Sequence, residues 1–205
     1  MPGDTVAAGC AVWQGEAMST LIEQYDHALS EFGRRVEKIG PDQWSAPTPC
    51  DQWDVRALVA HLVDECRWAP YLLAGGTVEG AGDRFVGDPL GDDPVGAWRS
   101  ASAAARDAFA ADGALDHTVA LSYGETSARD YLWQMTVDAA VHAWDLARGI
   151  GDDDHLDPEL VRRIHTEVEK DVESLAESGL FDPPVPVPAH ADLQARMLGL
   201  YGRRA

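Results

Sequence analysis

The chain has 205 residues, 45% hydrophobic and 25% charged, an ordinary globular composition with enough length for one substantial core. Its 35 acidic against 16 basic residues give a formal charge of -19, which argues against nucleic acid or an anionic membrane surface as partner. No apolar run approaches a membrane span, and the first residues lack a basic segment followed by an apolar core, so a signal peptide is not expected. Cys10, Cys50 and Cys66 form no C-x-x-C pair, so the expected compartment is the cytoplasm.

Residues 1–15 read as a loose extension, followed by a single domain over residues 16–205. From about Met18 to Ile39 the spacing predicts an amphipathic helix, with Leu21, Ile22, Tyr25, Leu29, Phe32 and Val36 as its stripe and Gly40-Pro41 as its stop. Pro47 and Pro49 exclude helix from the next segment, PDQWSAPTPCDQWD, whose Trp44 and Trp53 are expected to plug the end of a bundle. A second helix starts near Asp54, with Asp51 or Asp54 as its cap. Its stripe contains Val55, Leu58, Val59, Leu62, Cys66 and Ala69, and His61 stands at the edge of that stripe beside Glu65 and Trp68. Gly75–Asp93 reads as a loop, and no P-loop or dinucleotide fingerprint occurs.

An alanine-rich third helix is predicted from about Pro94 to Ala111. His117–Ser122 alternates weakly, and Tyr123-Gly124-Glu125 turns the chain, so a short strand or hairpin is expected. Tyr131–Ile150 then reads as a central helix, apolar nearly all round and so buried on more than one side. Asp157-Pro158 starts another helix with Leu160, Val161, Ile164, Val168, Val172 and Leu175 as apolar positions. A proline-rich tail follows, and Ala191–Tyr201 is expected to close the chain with a short helix. These elements make the fold class all-α: a four-helix bundle with extra short helices and a short hairpin.

Within the central helix, Asp138 and His142 lie one turn apart on one face. A carboxylate and an imidazole in an apolar setting need a partner, because an unpaired buried charge is costly. That partner is either a structural base such as Arg148 or a metal ion. His61, also mid-helix at a stripe's edge, is the natural third ligand. Two imidazoles and one carboxylate suit zinc, nickel or iron and leave a coordination position open. Taken singly, each residue also has a bland reading: a satisfied core histidine, or an aspartate paired with an arginine. His27 and His165 read as surface or boundary residues. His155 sits in the acidic turn GDDDHLD, which lacks the spacing of a calcium loop. Trp53, Trp68 and Trp133 are candidate pocket walls, with core packing as the alternative.

Three stretches together carry a resemblance: TPCDQWDVRALVAHLVDE at 48–65, YLWQMTVDAAVHAWDLARGIG at 131–151, and GLFDPPVPVPAHADLQARMLGLYGRR at 179–204. The chain resembles the metal-binding family related to mycothiol-dependent maleylpyruvate isomerase, within the DinB/YfiT-like metalloenzymes. The resemblance implies a DinB/YfiT-type four-helix bundle with His61, Asp138 and His142 as ligands of a divalent metal, zinc ahead of nickel or iron. The well-studied isomerases have glutamate where this chain has Asp138. Little sequence follows the PPVPVP tail, so the separate carboxy-terminal domain of those isomerases is not expected here and maleylpyruvate isomerisation itself is not carried over. What the resemblance implies is a thiol-dependent enzyme, a transferase or isomerase that uses mycothiol or a similar small thiol on a small electrophile. The alternative is a non-catalytic metal-containing protein that binds or senses a small ligand. Monomer and homodimer are equally compatible with the sequence.

Overall fold

The computed structural model describes residues 6–51, 53–169 and 181–205, with side chains described from Thr20 onward. Its helices are α1 (Val6–Val36), α2 (Val55–Leu73), the short α3 (Val78–Ala81), α4 (Pro94–Ala110), α5 (Ala128–Ile150), α6 (Pro158–Val168) and α7 (Leu193–Leu200). An antiparallel hairpin joins β1 (Thr118–Leu121) to β2 (Gly124–Ser127), with Val119 opposite Thr126. The hairpin, the central helix and the closing helix agree with the sequence reading. The first helix does not: it begins at Val6 rather than near Met18, so most of the expected loose extension is helical. VAAGCAVWQGEAM is rich in alanine and contains no proline, and such a run extends a helix already nucleated downstream. Val172 and Leu175 lie outside the described residues.

Helix starts follow their capping chemistry. Asp54 accepts the Ala57 N–H at 2.8 Å, Asp93 accepts the Gly96 N–H at 2.9 Å, and Asp157 accepts those of Glu159 and Leu160, both at 2.9 Å. At the start of α5 the Ser127 hydroxyl accepts the Asp130 N–H, as an N-cap does, and donates to the Asp130 carboxylate. At the other end of α5, Gln43 donates to the Ile150 carbonyl at 2.8 Å, and Gly151 takes the left-handed conformation (φ +70°) that ends the helix.

The chain divides into two compact units, one of residues 1–26 and 60–136, the other of residues 27–59 and 137–205. The division falls inside α1, α2 and α5, so each of these helices belongs to both units. In the first unit Tyr25, Phe109 and Tyr131 stack edge to face or tilted at 5.4–5.6 Å, over the fully buried Cys66 and Ala105. In the second, Val141, Trp144 and Leu146 of α5 belong to the core, all 1% exposed or less. Arg35 is fully buried there and donates to the Asp153 and His155 carbonyls, which ties the segment after α5 back to α1.

Candidate metal centre

Asp138 and His142 sit where the helical spacing puts them, on one face of α5. The His142 Nε2 lies 3.3 Å from the Asp138 Oδ1. Two ligands bonded at 2.0–2.1 Å to a tetrahedral ion stand about 3.3 Å apart, so this pair already has ligand spacing. His61, half-buried on α2, is brought to the same place: one ligand atom from each of His61, Asp138 and His142 lies within 4.8 Å of the other two. The donor set is two neutral-capable imidazoles and one carboxylate, which fits a borderline ion such as zinc.

The ring of His142 is fixed from behind. Its Nδ1 lies 2.9 Å from the Oδ2 of Asp145, which is fully buried. A carboxylate can only accept, so Nδ1 donates, and Nε2 is the nitrogen turned towards Asp138. Asp145 is in turn gripped by Arg203, whose Nε and Nη2 donate to it at 2.9–3.2 Å. Burial works against the Arg203 charge, but the hydrogen bond and the charge of Asp145, with smaller contributions from Cys50 and Asp182, together outweigh it and strengthen the hold on the proton. For His142, burial disfavours the charged ring, yet the Asp138 and Asp145 carboxylates together outweigh it and raise its pKa to about 9. A carboxylate behind a ligating histidine is the usual means of fixing its tautomer and raising its basicity.

Trp53 covers this arrangement, its ring centroid 5.3 Å from that of His142. Its segment is held by a bridge between Pro47 and Asp54 and by close packing on the end of α5, where a Cβ on Gly149 would come within 3.1 Å of Thr48 and Val55. Trp53 thus stands against His142 from the segment that precedes α2.

Other expectations are corrected. Arg148, the base offered as a structural partner for Asp138, is exposed and pairs with Asp154 at 3.1 Å, so it takes no part in the cluster. His165 is buried rather than at the surface, beside Glu169 at 3.3 Å. His155 is 82% exposed and forms with Asp153 and Asp154 a second close group of possible ligands, spread over a solvated turn. Asp145 and Arg203 were not singled out in the sequence. Asp145 had a readable signal, three residues beyond His142 and seven beyond Asp138 on the same face. Arg203, 58 residues away in the tail, had none.

Similarity to known proteins follows this geometry. The family model for the mycothiol maleylpyruvate isomerase N-terminal domain matches residues 25–147, a span that includes His61, Asp138, His142 and Asp145. Two uncharacterized proteins of Mycobacterium tuberculosis, Rv0738 of strain ATCC 25618 / H37Rv and MT0763 of strain CDC 1551 / Oshkosh, are each 33% identical over 141 residues, 66% of this chain and 70% of theirs. The crystal structure of the mycothiol-dependent maleylpyruvate isomerase superposes with a TM-score of 0.57 at 16% identity, covering 79% of this chain and 72% of the isomerase. A histidine-to-alanine mutant of that enzyme gives a TM-score of 0.61 at 14% identity over the same shares. At such identities the likeness speaks for the fold, which is that of the isomerase. With well over half its length inside the family model, the chain belongs to the family of the mycothiol maleylpyruvate isomerase N-terminal domain.

Proposed function

We propose that the chain is a thiol-dependent metalloenzyme that uses mycothiol or a similar small thiol on a small electrophile, as a transferase or isomerase. The observation that carries this reading is the clustering of the His61, Asp138 and His142 ligand atoms, with the His142 ring locked by a buried carboxylate. Three protein ligands leave a position for an exogenous group, as catalytic sites do and closed structural sites do not. A divalent ion held there would supply Lewis acidity and lower the pKa of a thiol brought to it. The chain's own residues do the rest. Asp145 keeps the His142 Nε2 aimed forward, Arg203 holds the Asp145 carboxylate in place through its Nε and Nη2 donors, and the Trp53 ring lies against the imidazole. Membership of the family supports the choice of mycothiol, the thiol named for the isomerase that shares the fold.

Metal analysis of protein purified without an affinity tag tests the reading, followed by turnover of electrophiles with and without a small thiol. About one divalent ion per chain and thiol-dependent turnover are the expected results. Metal without turnover would instead indicate a ligand-binding or sensor protein, and absence of metal would reduce the cluster to a structural polar pair.

Metal uptake should also displace a proton. Because Asp138 and Asp145 outweigh burial and hold His142 protonated up to about pH 9, the metal-free ring is charged at neutral pH, whereas a ligand must be neutral. Affinity should therefore rise with pH from neutrality and level off above about 9. Calorimetric titration with zinc at pH 7 in buffers of different ionisation enthalpy should report about one proton released per ion. Identical heats in all buffers would contradict this assignment.

A further inference from the structure

Seven residues before Asp138, and so two turns back on the same face of α5, stands Tyr131. It is 4% exposed, and its hydroxyl oxygen is buried with no hydrogen-bond partner among the described residues. A buried hydroxyl left unpaired is costly, and native proteins retain few of them. Its ring cannot simply swing the group out to water, because it packs against Phe109 of α4 at 5.4 Å between ring centroids.

The groups that bear on this phenol are Glu65, Cys66 and Tyr123, and none of them accepts its proton. Glu65 lies four residues beyond His61, one turn further along the same face of α2. Tyr123, from the β1–β2 turn, is not free to approach it, since its own hydroxyl is engaged by Gln134 of α5. Burial first, and then the charge of Glu65, push the Tyr131 pKa well above its ordinary value, so the group stays a neutral O–H donor across the physiological range. Such a donor lacks an acceptor oxygen. The nearby Glu65 carboxylate repels a second anion, which favours a neutral carbonyl over a carboxylate as the missing partner.

We propose that the Tyr131 hydroxyl is a substrate-binding group, one that holds a carbonyl oxygen of the small electrophile. The assignment rests on the thiol-dependent reading above for the identity of the electrophile, but the binding site itself lies in residues of α2, α4, α5 and the hairpin turn.

Tyr131→Phe keeps the ring and removes only the oxygen. The probes are the diamide of maleic acid, a neutral dicarbonyl alkene, and maleate, its dianionic counterpart. The wild-type protein should bind the diamide more tightly than maleate, and Tyr131→Phe should weaken the diamide by about fivefold or more, the effect of one lost hydrogen bond. The same substitution should leave the melting temperature equal to or above that of the wild type, because no internal bond is broken. A purely structural hydroxyl, bonded to an internal water, would give a lower melting temperature. That result would overturn the proposal, as would unchanged diamide affinity, failure of the wild type to bind the diamide, or tighter binding of maleate. Metal content measured on the same samples separates this proposal from the functional reading. A metal-free wild type that still binds the diamide through Tyr131 would sink the metalloenzyme and keep the subsite. A metal-loaded wild type with Tyr131→Phe unaltered in affinity would sink the subsite alone.

Discussion

Arg203→Met should cost the fold about 3–5 kcal/mol, the usual penalty for stripping one partner from a buried ion pair. Asp145 is fully buried, and Arg203 is 4% exposed and supplies its principal donors. Methionine fills most of the volume but leaves the carboxylate with His142 alone. Arg203 also donates to the Tyr201 carbonyl and to Asp182, so the closing turn after α7 loosens as well. Urea unfolding of the metal-free protein measures the effect. Arg148→Met is the control: its partner Asp154 is near the surface, and the change should cost less than about 1 kcal/mol. Adding Asp145→Asn to Arg203→Met should recover part of the loss, since the neutral amide no longer needs a counter-charge. If Arg203→Met is as mild as the control, the buried pair does not hold the tail in place.

Much of this was readable in the sequence because it is local. The helix starts at Asp54 and Asp157, the hairpin around Tyr123-Gly124, and the shared face of Asp138 and His142 all follow from spacing within a few residues. His61 is of a different kind, since nothing local links it to α5. Its place in the cluster was an inference from its position on an apolar stripe, sharpened by resemblance. The Asp145–Arg203 pair was missed because an arginine two residues from the end of the chain carries no sign of the carboxylate it will meet. The start of α1 was misplaced for the opposite reason. The apolar stripe becomes regular only from Leu21, whereas the alanines, methionine and valines before it suffice to continue a helix already anchored by its later turns, Gly9 and Gly15 notwithstanding.

The Asp138 position gives the sharpest test of the site. Asp138→Asn keeps the shape and removes the charge, and zinc affinity should fall on the order of a hundredfold or more, since even outer-shell partners are worth ten- to a hundredfold. Asp138→Glu should retain the ion, because it keeps a carboxylate ligand and only lengthens its reach by one methylene. His142→Ala removes a ligand outright and should reduce bound metal to the level of adventitious ions. The metal-free proteins add an independent reading. The Asp138 charge is foremost among the influences that raise His142 against its burial, so Asp138→Asn should bring the imidazole down from about pH 9 towards ordinary histidine values. Nuclear magnetic resonance of the His142 ring follows that shift directly. The sign for stability follows: the metal-free wild type has the full stabilising effect of a charged His142 below about pH 6.5 and loses it as pH rises through about 9. The Asn variant should lose most of this dependence. Should Asp138→Asn bind zinc as tightly as the wild type while its His142 titration shifts as expected, Asp138 is an electrostatic neighbour and not a ligand. Glu65, one turn beyond His61 on α2, is then the carboxylate to replace.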